Sequence, residues 1–310
     1  MTYEDFINQP EFQQLLVESE QLKSKVFSDI IDDEGNQYVD LVQEGGGVLG
    51  IALVGYTYIL EATGIRFFDL AGTSAGAINT LILAGIDHIN KPKSQLVLNE
   101  LAKQDLFEFV DGDPVLKSII QKVIDGTPFK KLLFKLFFNI RKVKTALFHN
   151  LGMNPGLKFE QWLEGVLKNS PNHIETIGDL QEKRSSKHFP KGLRHRETGP
   201  LKDERALIHI ITADLTTQSK VQFPMMTKLY WGDDYKSKSP AKMAASSPPV
   251  PALTSRMTLR SSAASRGRRR TRISCSSCSI LLSRLTRSAS AMTASSPPAL
   301  SISSTSQRSV

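Results

Sequence analysis

Residues 38–84 decide the fold, and their sequence is YVDLVQEGGGVLGIALVGYTYILEATGIRFFDLAGTSAGAINTLILA. Two short apolar strands are predicted in it, at residues 38–42 and 66–70, and each leads through a glycine-containing turn into an apolar helix. A helix is the connection that two parallel strands need, because a tight hairpin joins only antiparallel strands. The order strand, helix, strand, helix therefore predicts an α/β domain whose parallel-rich sheet is flanked by helices.

The flanking sequence extends this prediction in both directions. Residues 3–28 carry an imperfect apolar face and are predicted to be helical, and much of the middle of the chain is helical as well. A third strand is predicted at residues 206–212, ending at Asp214, and a fourth at residues 221–223. The polar, charge-rich residues 170–205 are predicted to form an excursion at the surface.

The composition changes sharply near residue 242. From Met243 onward the chain has 20 Ser and 10 Arg but no Lys, Asp or Glu, so 29 of its 39 basic residues and all 31 acidic residues lie before that point. Because such a segment cannot bury enough apolar surface to offset chain entropy, we predict disorder there. The predicted organisation is an N-terminal helical segment (1–37), a main α/β domain (38–242) and a basic Ser/Arg-rich tail (243–310).

Several classes of protein are disfavoured by the composition. Both cysteines, Cys275 and Cys278, lie in the tail, so the rest of the chain has no disulfide framework and no cysteine-based metal site. The chain shows neither a secretory signal nor a run of about 18 apolar residues that could span a membrane. The tail has no aromatic residue for base stacking, so no specific nucleic-acid partner is expected. We therefore expect a cytoplasmic protein without a bound metal.

A nucleophile motif lies between the second strand and the second helix. The pentapeptide fits the pattern G-x-S-x-G and reads Gly72-Thr73-Ser74-Ala75-Gly76. A serine on a tight strand-to-helix turn is forced outward, and flanking glycines remove side chains that would collide with the strand and the helix. The helix N-terminus also favours developing negative charge. We interpret Ser74 as a nucleophile, with a serine that only caps the helix as the alternative. Its elbow comprises Gly72, Thr73, Ala75 and Gly76.

A second glycine-rich turn follows the first strand and reads Gly45-Gly46-Gly47-Val48-Leu49-Gly50. Bare backbone N–H groups in such a turn can bind an anion. Each preorganised donor of this kind stabilises an acyl-transfer oxyanion by roughly 3–4 kcal/mol. The predicted oxyanion hole comprises Gly45, Gly46, Gly47 and Gly50.

The same glycines also fit a dinucleotide-binding pattern. The motif G-x-G-x-x-G after a strand, with an acid about 20 residues further on, binds the pyrophosphate and ribose of a dinucleotide. Asp69 lies 19 residues past Gly50. The serine motif that follows Asp69 almost at once has no role in such a site, so we prefer the hydrolase interpretation, which needs no cofactor.

Together the two glycine motifs resemble the patatin-like phospholipase family. The likeness is strongest in the first two of four stretches, which are residues 41–55, 71–78, 211–217 and 239–242. It implies a three-layer fold and a Ser–Asp dyad, in which Ser74 attacks an ester carbonyl while Gly46, Gly47 and their neighbours bind the oxyanion. The implied substrates are acyl esters of glycerophospholipids or related lipids, without a metal or cofactor. An α/β-hydrolase is a poorer match, because its oxyanion loop usually carries His where Glu44 stands.

The sequence departs from this family in two places. Leu49 stands where the family usually has a basic residue, and the Asp-Gly-Gly or Asp-Gly-Ala motif of the dyad is absent, since no Asp follows Asp234. Our hypothesis is that an out-of-frame coding change replaced the C-terminal part, and resequencing that finds no Asp-Gly in any nearby frame would contradict it. Asp214 is a weak candidate for the base, although a turn or cap role suits it better. A catalytically impaired lipid- or partner-binding remnant of the fold stays an alternative.

One further segment, residues 129–148, has the pattern of a lipid contact. Its apolar side chains fall on one helical face, and Lys and Arg occupy much of the rest, which is typical of helices that lie in a lipid interface. An ordinary surface helix over the core has the same pattern. We expect a lipid or acyl-ester substrate as the partner, with peripheral membrane contact through this segment.

Overall fold

The computed structural model describes residues 3–46, 50–126, 128, 137–141, 144, 156–201, 205–214, 218–245 and 257–261. Its strands are Ile30–Ile31 (β1), Gln37–Gln43 (β2), Ile65–Thr73 (β3), Arg194–His195 (β4), Gly199–Pro200 (β5), Ile208–Asp214 (β6), Ser219–Phe223 (β7) and Met257–Ser261 (β8). Its α-helices run over Tyr3–Ile7 (α1), Pro10–Glu20 (α2), Gly50–Ala62 (α3), Ala75–Gly85 (α4), Ser94–Ala102 (α5), Pro114–Ile124 (α6), Leu157–Lys168 (α7), Ile177–Lys183 (α8), Thr227–Trp231 (α9) and Ala241–Ala245 (α10). Short 3-10 helices lie at Leu106–Phe109, Ser186–His188 and Asp233–Ser237.

The described strands form one mixed sheet with a parallel centre. Its order is β5-β4-β1-β2-β3-β6-β7, and β8 also pairs with β2. Strands β2, β3 and β6 are parallel, with Gln43 opposite Gly72 and Thr73 opposite Ile211. The other pairs are antiparallel. The predicted α/β fold class is confirmed, and the carboxyl ends of the three parallel strands lie at one edge of the sheet.

Helix α4 packs against all three parallel strands and is buried along almost its whole length. Its sequence is apolar nearly all round, as a helix that lies between a sheet and other helices requires. On β2, the alternate residues Val39, Leu41 and Gln43 are each at most 1% exposed, because alternate positions of a strand share one face of the sheet. The glycine turn after β2 therefore begins next to the buried Gln43, and the turn after β3 adjoins the buried helix α4.

Residues outside the predicted main domain also take part in this packing. Strand β1 in the N-terminal segment pairs with the start of β2, and Phe6 and Phe12 of the first two helices are buried. Helix α10 spans the predicted boundary at residue 242, and Met243 and Ala244 are buried. Beyond α10 the structure describes only β8, so the disorder of the tail stays a prediction.

The prediction that residues 170–205 form a surface excursion is wrong. This segment contains α8, and Leu193 contributes to a core cluster with Phe68. Arg184 is only 4% exposed, and its guanidinium donates to the backbone carbonyls of Phe68 and Ala206. The charge-rich sequence indicated solvent, but a guanidinium can lie in the core when backbone carbonyls accept its hydrogen bonds.

Two buried charged residues connect α3 to α5. Glu61 of α3 accepts the backbone N–H groups of Lys93 and Ser94, at 2.8 and 2.7 Å, where α5 begins. The Lys93 ammonium donates to three backbone carbonyls of residues 88–91. Burial raises the pKa of Glu61 and lowers the pKa of Lys93 to about 8, and the opposite charge of the partner limits both shifts. A carboxylate at a helix N-terminus is stabilising, so this contact holds α3, the helix that follows the glycine turn, against α5.

Candidate active site

Ser74 lies on a sharp turn between β3 and α4. Strand β3 ends at Thr73 and α4 begins at Ala75, so one residue separates the two elements. Ser74 has φ 52° and ψ −128°, a conformation that residues with a side chain rarely adopt and that costs about 1–3 kcal/mol. Its hydroxyl makes no capping hydrogen bond to α4, which disfavours the alternative that Ser74 only caps the helix.

The glycines on either side of Ser74 are required by close packing. A Cβ atom on Gly72 would collide with the backbone carbonyl of Gly76 and would lie 2.6 Å from the Thr80 hydroxyl oxygen. A Cβ atom on Gly76 would lie 2.5 Å from the backbone carbonyl oxygen of Gln43. Strand, turn and helix are therefore too close together for a side chain at either position, which is the reason the elbow pattern demands glycine there.

The second glycine turn meets this elbow directly. A Cβ atom on Gly45 would collide with the Cβ atom of Ser74 and would lie 2.9 Å from its hydroxyl oxygen. A Cβ atom on Gly50 would lie 2.7 Å from the Cβ atom of Ala75. Gly46 is buried, whereas Gly47, the remaining glycine of the predicted oxyanion hole, lies outside the described residues. The structure thus brings Gly45 and Gly50, which precede Ser74 by 29 and 24 residues, against the turn at Ser74.

The surroundings of Asp69 do not resemble those of a dinucleotide site. Asp69 lies inside β3 rather than at its end, and its carboxylate accepts the backbone N–H of Leu207 at 2.7 Å. An acid that binds a ribose lies instead at the end of its strand, where it faces the ligand. Within the described part of the chain, no three His, Cys, Asp or Glu side chains are grouped as a metal site would require.

Asp214, the weak candidate for the base, lies at the same edge of the sheet as Ser74. It is the last residue of β6, and β6 runs parallel to β3 with Thr73 opposite Ile211. The hydroxyl of Tyr230 donates to a carboxylate oxygen of Asp214 at 2.9 Å. Desolvation and the neighbouring carboxylate raise the pKa of Tyr230. Tyr230 was not predicted as a site residue, because nothing in the local sequence connects it with a carboxylate 16 residues earlier.

A buried glutamine between the two turns was also missed by the sequence analysis. Gln43 is the last residue of β2 and is 1% exposed. Its side-chain oxygen accepts hydrogen bonds from the Asn79 amide at 3.1 Å and from the Thr80 hydroxyl at 3.5 Å. A polar residue at the end of an apolar strand and an Asn on an apolar helix were the available signals. Neither signal shows by itself that the two side chains meet.

The comparison with known families covers both turns and most of the chain. The family model of the patatin-like phospholipases matches residues 41–301. The chain belongs to the patatin-like phospholipase family. Membership of this patatin-like protein in the family agrees with its α/β fold. The match extends further towards the C-terminus than the motifs indicated, since it includes most of the predicted basic tail.

A relative of this patatin-like protein is the uncharacterized protein YqhO of Bacillus subtilis (strain 168). The two are 33% identical over 145 residues, which are 47% of this chain and 40% of YqhO. The match therefore spans less than half of the length of that relative. No solved structure matches the chain.

Proposed function

We propose that this patatin-like protein is a serine-dependent lipid acyl hydrolase, of the phospholipase A or lysophospholipase type, that forms an acyl-enzyme on Ser74. The observation that carries the proposal is the approach of Gly45 to the Ser74 hydroxyl, at a position where only glycine fits. Because Gly45 has no side chain, the backbone N–H groups of the glycine turn can approach the hydroxyl closely. Preorganised donors next to a nucleophile are what acyl transfer requires.

In the proposed reaction the Ser74 hydroxyl oxygen attacks the ester carbonyl carbon. A base takes the serine proton, and the carbonyl oxygen becomes an oxyanion that the backbone N–H groups of the glycine turn and of the α4 N-terminus bind. The ester bond then breaks, the alcohol leaves with the proton, and the acyl group stays on Ser74. Water attacks the acyl-enzyme in the second half of the cycle and releases the fatty acid.

Asp214 is the candidate base in this proposal, although a weak one. Continuing the register of β3 and β6 beyond Thr73 and Ile211 places Thr212 level with Ser74, and Asp214 two residues further on. Two residues of a strand span about 6–7 Å, so the backbone of Asp214 lies beyond the position level with Ser74 rather than directly beside it. One oxygen of the Asp214 carboxylate already accepts the hydrogen bond from the Tyr230 hydroxyl.

The alternative is a catalytically impaired remnant that binds lipid without turning it over. A specific observation favours it, since no Asp follows Asp234 and the Asp-Gly-Gly or Asp-Gly-Ala motif of the family dyad is therefore absent. In such a remnant the elbow and the glycine turn persist as a binding site for a carbonyl or carboxylate group. Hydrolysis would then be slow even where Ser74 is accessible to a reactive probe.

Covalent labelling of the full chain tests the proposal. A fluorophosphonate probe is expected to give one adduct, on the tryptic peptide that follows Arg66 and contains Ser74, as measured by mass spectrometry. Ser94 provides a control within the same sample, because it also lies buried at the start of a helix, at 0% exposure against 5% for Ser74, but has no adjoining glycine turn. Labelling of Ser74 together with steady release of p-nitrophenol from an ester supports the hydrolase. Labelling without steady release favours the impaired alternative, and an unlabelled Ser74 contradicts the proposed nucleophile.

Peripheral contact with a membrane through residues 129–148 is part of the proposal. The structure describes residues 137–141 of this segment, and Phe137, Phe138 and Ile140 are 69%, 68% and 59% exposed. Such exposure favours a segment that faces lipid over one that covers the core. Among the described helices, none is both long and apolar enough to cross a membrane.

Replacement of Phe137 and Phe138 by glutamate is expected to reduce binding to phosphatidylglycerol vesicles about tenfold or more, because two apolar anchors become repelled anions. Co-sedimentation with the vesicles measures the effect. Leu229→Glu is the matched control, since Leu229 is 77% exposed elsewhere on the surface. Unchanged binding of the Phe137/Phe138 variant, or an equal loss in the control, would remove the proposed contact.

A further inference from the structure

We infer that Gln43 is a positioning residue, which holds the glycine turn in place against Ser74 through its contact with Asn79. The inference rests on the proposed function, because it assigns the preorganisation of the oxyanion hole to a particular side chain. Gln43 touches neither Ser74 nor a substrate in this assignment. It acts through the backbone of the turn that follows it.

The glycine turn needs such a support because its own residues provide little. Glycine has no side chain to pack and adopts many backbone conformations, whereas oxyanion donors must stay within about 0.5 Å of their working positions. Glu44, the first residue after β2, is exposed. Gln43 is therefore the last buried side chain before the turn. A fixed contact of this side chain constrains where Gly45 and Gly46 lie.

The contacts of Gln43 join the turn to the helix that carries the nucleophile. Its side-chain oxygen binds Asn79 and Thr80 of α4. Its backbone carbonyl is so close to Gly76 that no side chain fits between them. It also lies opposite Gly72 in the pairing of β2 with β3. One residue thus contacts the strand before Ser74 and the helix after it, so the glycine turn and the elbow keep a constant separation.

The pair of amides is costly for stability, which indicates a role other than stability. The side-chain nitrogen of Gln43 and the side-chain oxygen of Asn79 are buried, and within the described part of the chain neither has a hydrogen-bond partner. Each such atom costs about 1–3 kcal/mol, whereas an apolar pair of the same shape would avoid the penalty. Apart from Thr80, the residues of α4 around Asn79 are apolar, so two apolar side chains would suit this position better if packing were the only requirement.

Hydrogen exchange of the full chain provides a test that does not depend on catalysis. In Gln43→Met, amide exchange in the peptide that contains Gly45 and Gly46 is expected to become about tenfold faster, because the root of the turn loses its contact with α4. Gln37→Met is the matched control. Gln37 lies at the other end of the same strand, is 5% exposed, and has three backbone hydrogen-bond partners in the segment before β1. The control is expected to lose stability without faster exchange at the glycine turn.

Kinetics and a double variant separate positioning from a purely structural role. Gln43→Met is expected to lower kcat for p-nitrophenyl butyrate about tenfold or more, with KM within about twofold of the parent, because the turn acts on the transition state. Adding Asn79→Ala removes the amide that Gln43→Met leaves without an acceptor, so the midpoint of urea unfolding should recover. Protection of the turn and kcat should stay low in the double variant.

The outcomes of this experiment are distinct. Exchange at the glycine turn that equals the parent in Gln43→Met overturns the inference, and so does a double variant that regains both stability and protection. Hydrolysis that is unaffected by loss of Ser74 contradicts the proposed function instead. The exchange comparison between Gln43→Met and Gln37→Met still decides the positioning role in that case.

Discussion

Ser74→Ala is expected to lower kcat for p-nitrophenyl butyrate by about 10⁴-fold or more, leaving only the residual catalysis that the oxyanion hole and substrate binding supply. The hydroxyl is the atom that would form the acyl-enzyme, and a methyl group leaves nothing to attack the ester. Steady-state release of p-nitrophenol by the purified full chain measures the effect. An alanine variant that keeps more than a tenth of the parent rate would show that hydrolysis occurs elsewhere.

A glycine at the same position separates the chemistry from the backbone conformation. Ser74→Gly should be as inactive as Ser74→Ala but more stable by about 1 kcal/mol, because glycine adopts φ 52° and ψ −128° without the strain of a side chain. The free energy of unfolding in urea measures the difference. Equal stability of the two variants would mean that the turn is not strained in solution.

Gly45→Ala is expected to lower kcat by about 10²–10³-fold, since the added methyl group collides with the Ser74 side chain. The collision can be relieved only by a movement of the glycine turn away from the nucleophile or by rotation of the serine. Either change separates the hydroxyl from the backbone donors. Ester hydrolysis and the rate of fluorophosphonate labelling should fall together, because both need the same oxyanion site.

The control for this substitution is Gly165→Ala in α7. No heavy atom lies within 4 Å of a Cβ atom built on Gly165, so the methyl group enters open space. Activity should stay at the parent level, and stability should rise by about 0.5–1 kcal/mol because alanine is the better helix former. If Gly45→Ala also keeps the parent rate, the glycine turn does not serve as the oxyanion hole.

The order of elements around the site was predictable because it depends on local chemistry. Alternating apolar runs and glycine turns in residues 38–84 predicted strands and helices that the structure places at nearly the same positions. The prediction for residues 170–205 was wrong because a high density of charged residues was interpreted as exposure to solvent. Arg184 lies in a segment rich in polar residues, yet the backbone carbonyls of Phe68 in β3 and of Ala206, two residues before β6, accept its hydrogen bonds. The amino-acid composition does not show where such carbonyls lie, because their position and direction depend on how the whole chain folds.

The sequence by itself determined where the backbone had to lack a side chain, namely at Gly45, Gly72 and Gly76, and which serine follows the central strand. Only the tertiary structure decided that Gly45 lies against Ser74 and that Gln43 reaches α4. The physical reason is that a turn is specified by the few residues within it, whereas a contact across 29 or 36 positions follows from strand register and helix packing. Many residues share in setting that register, and no short pattern contains it.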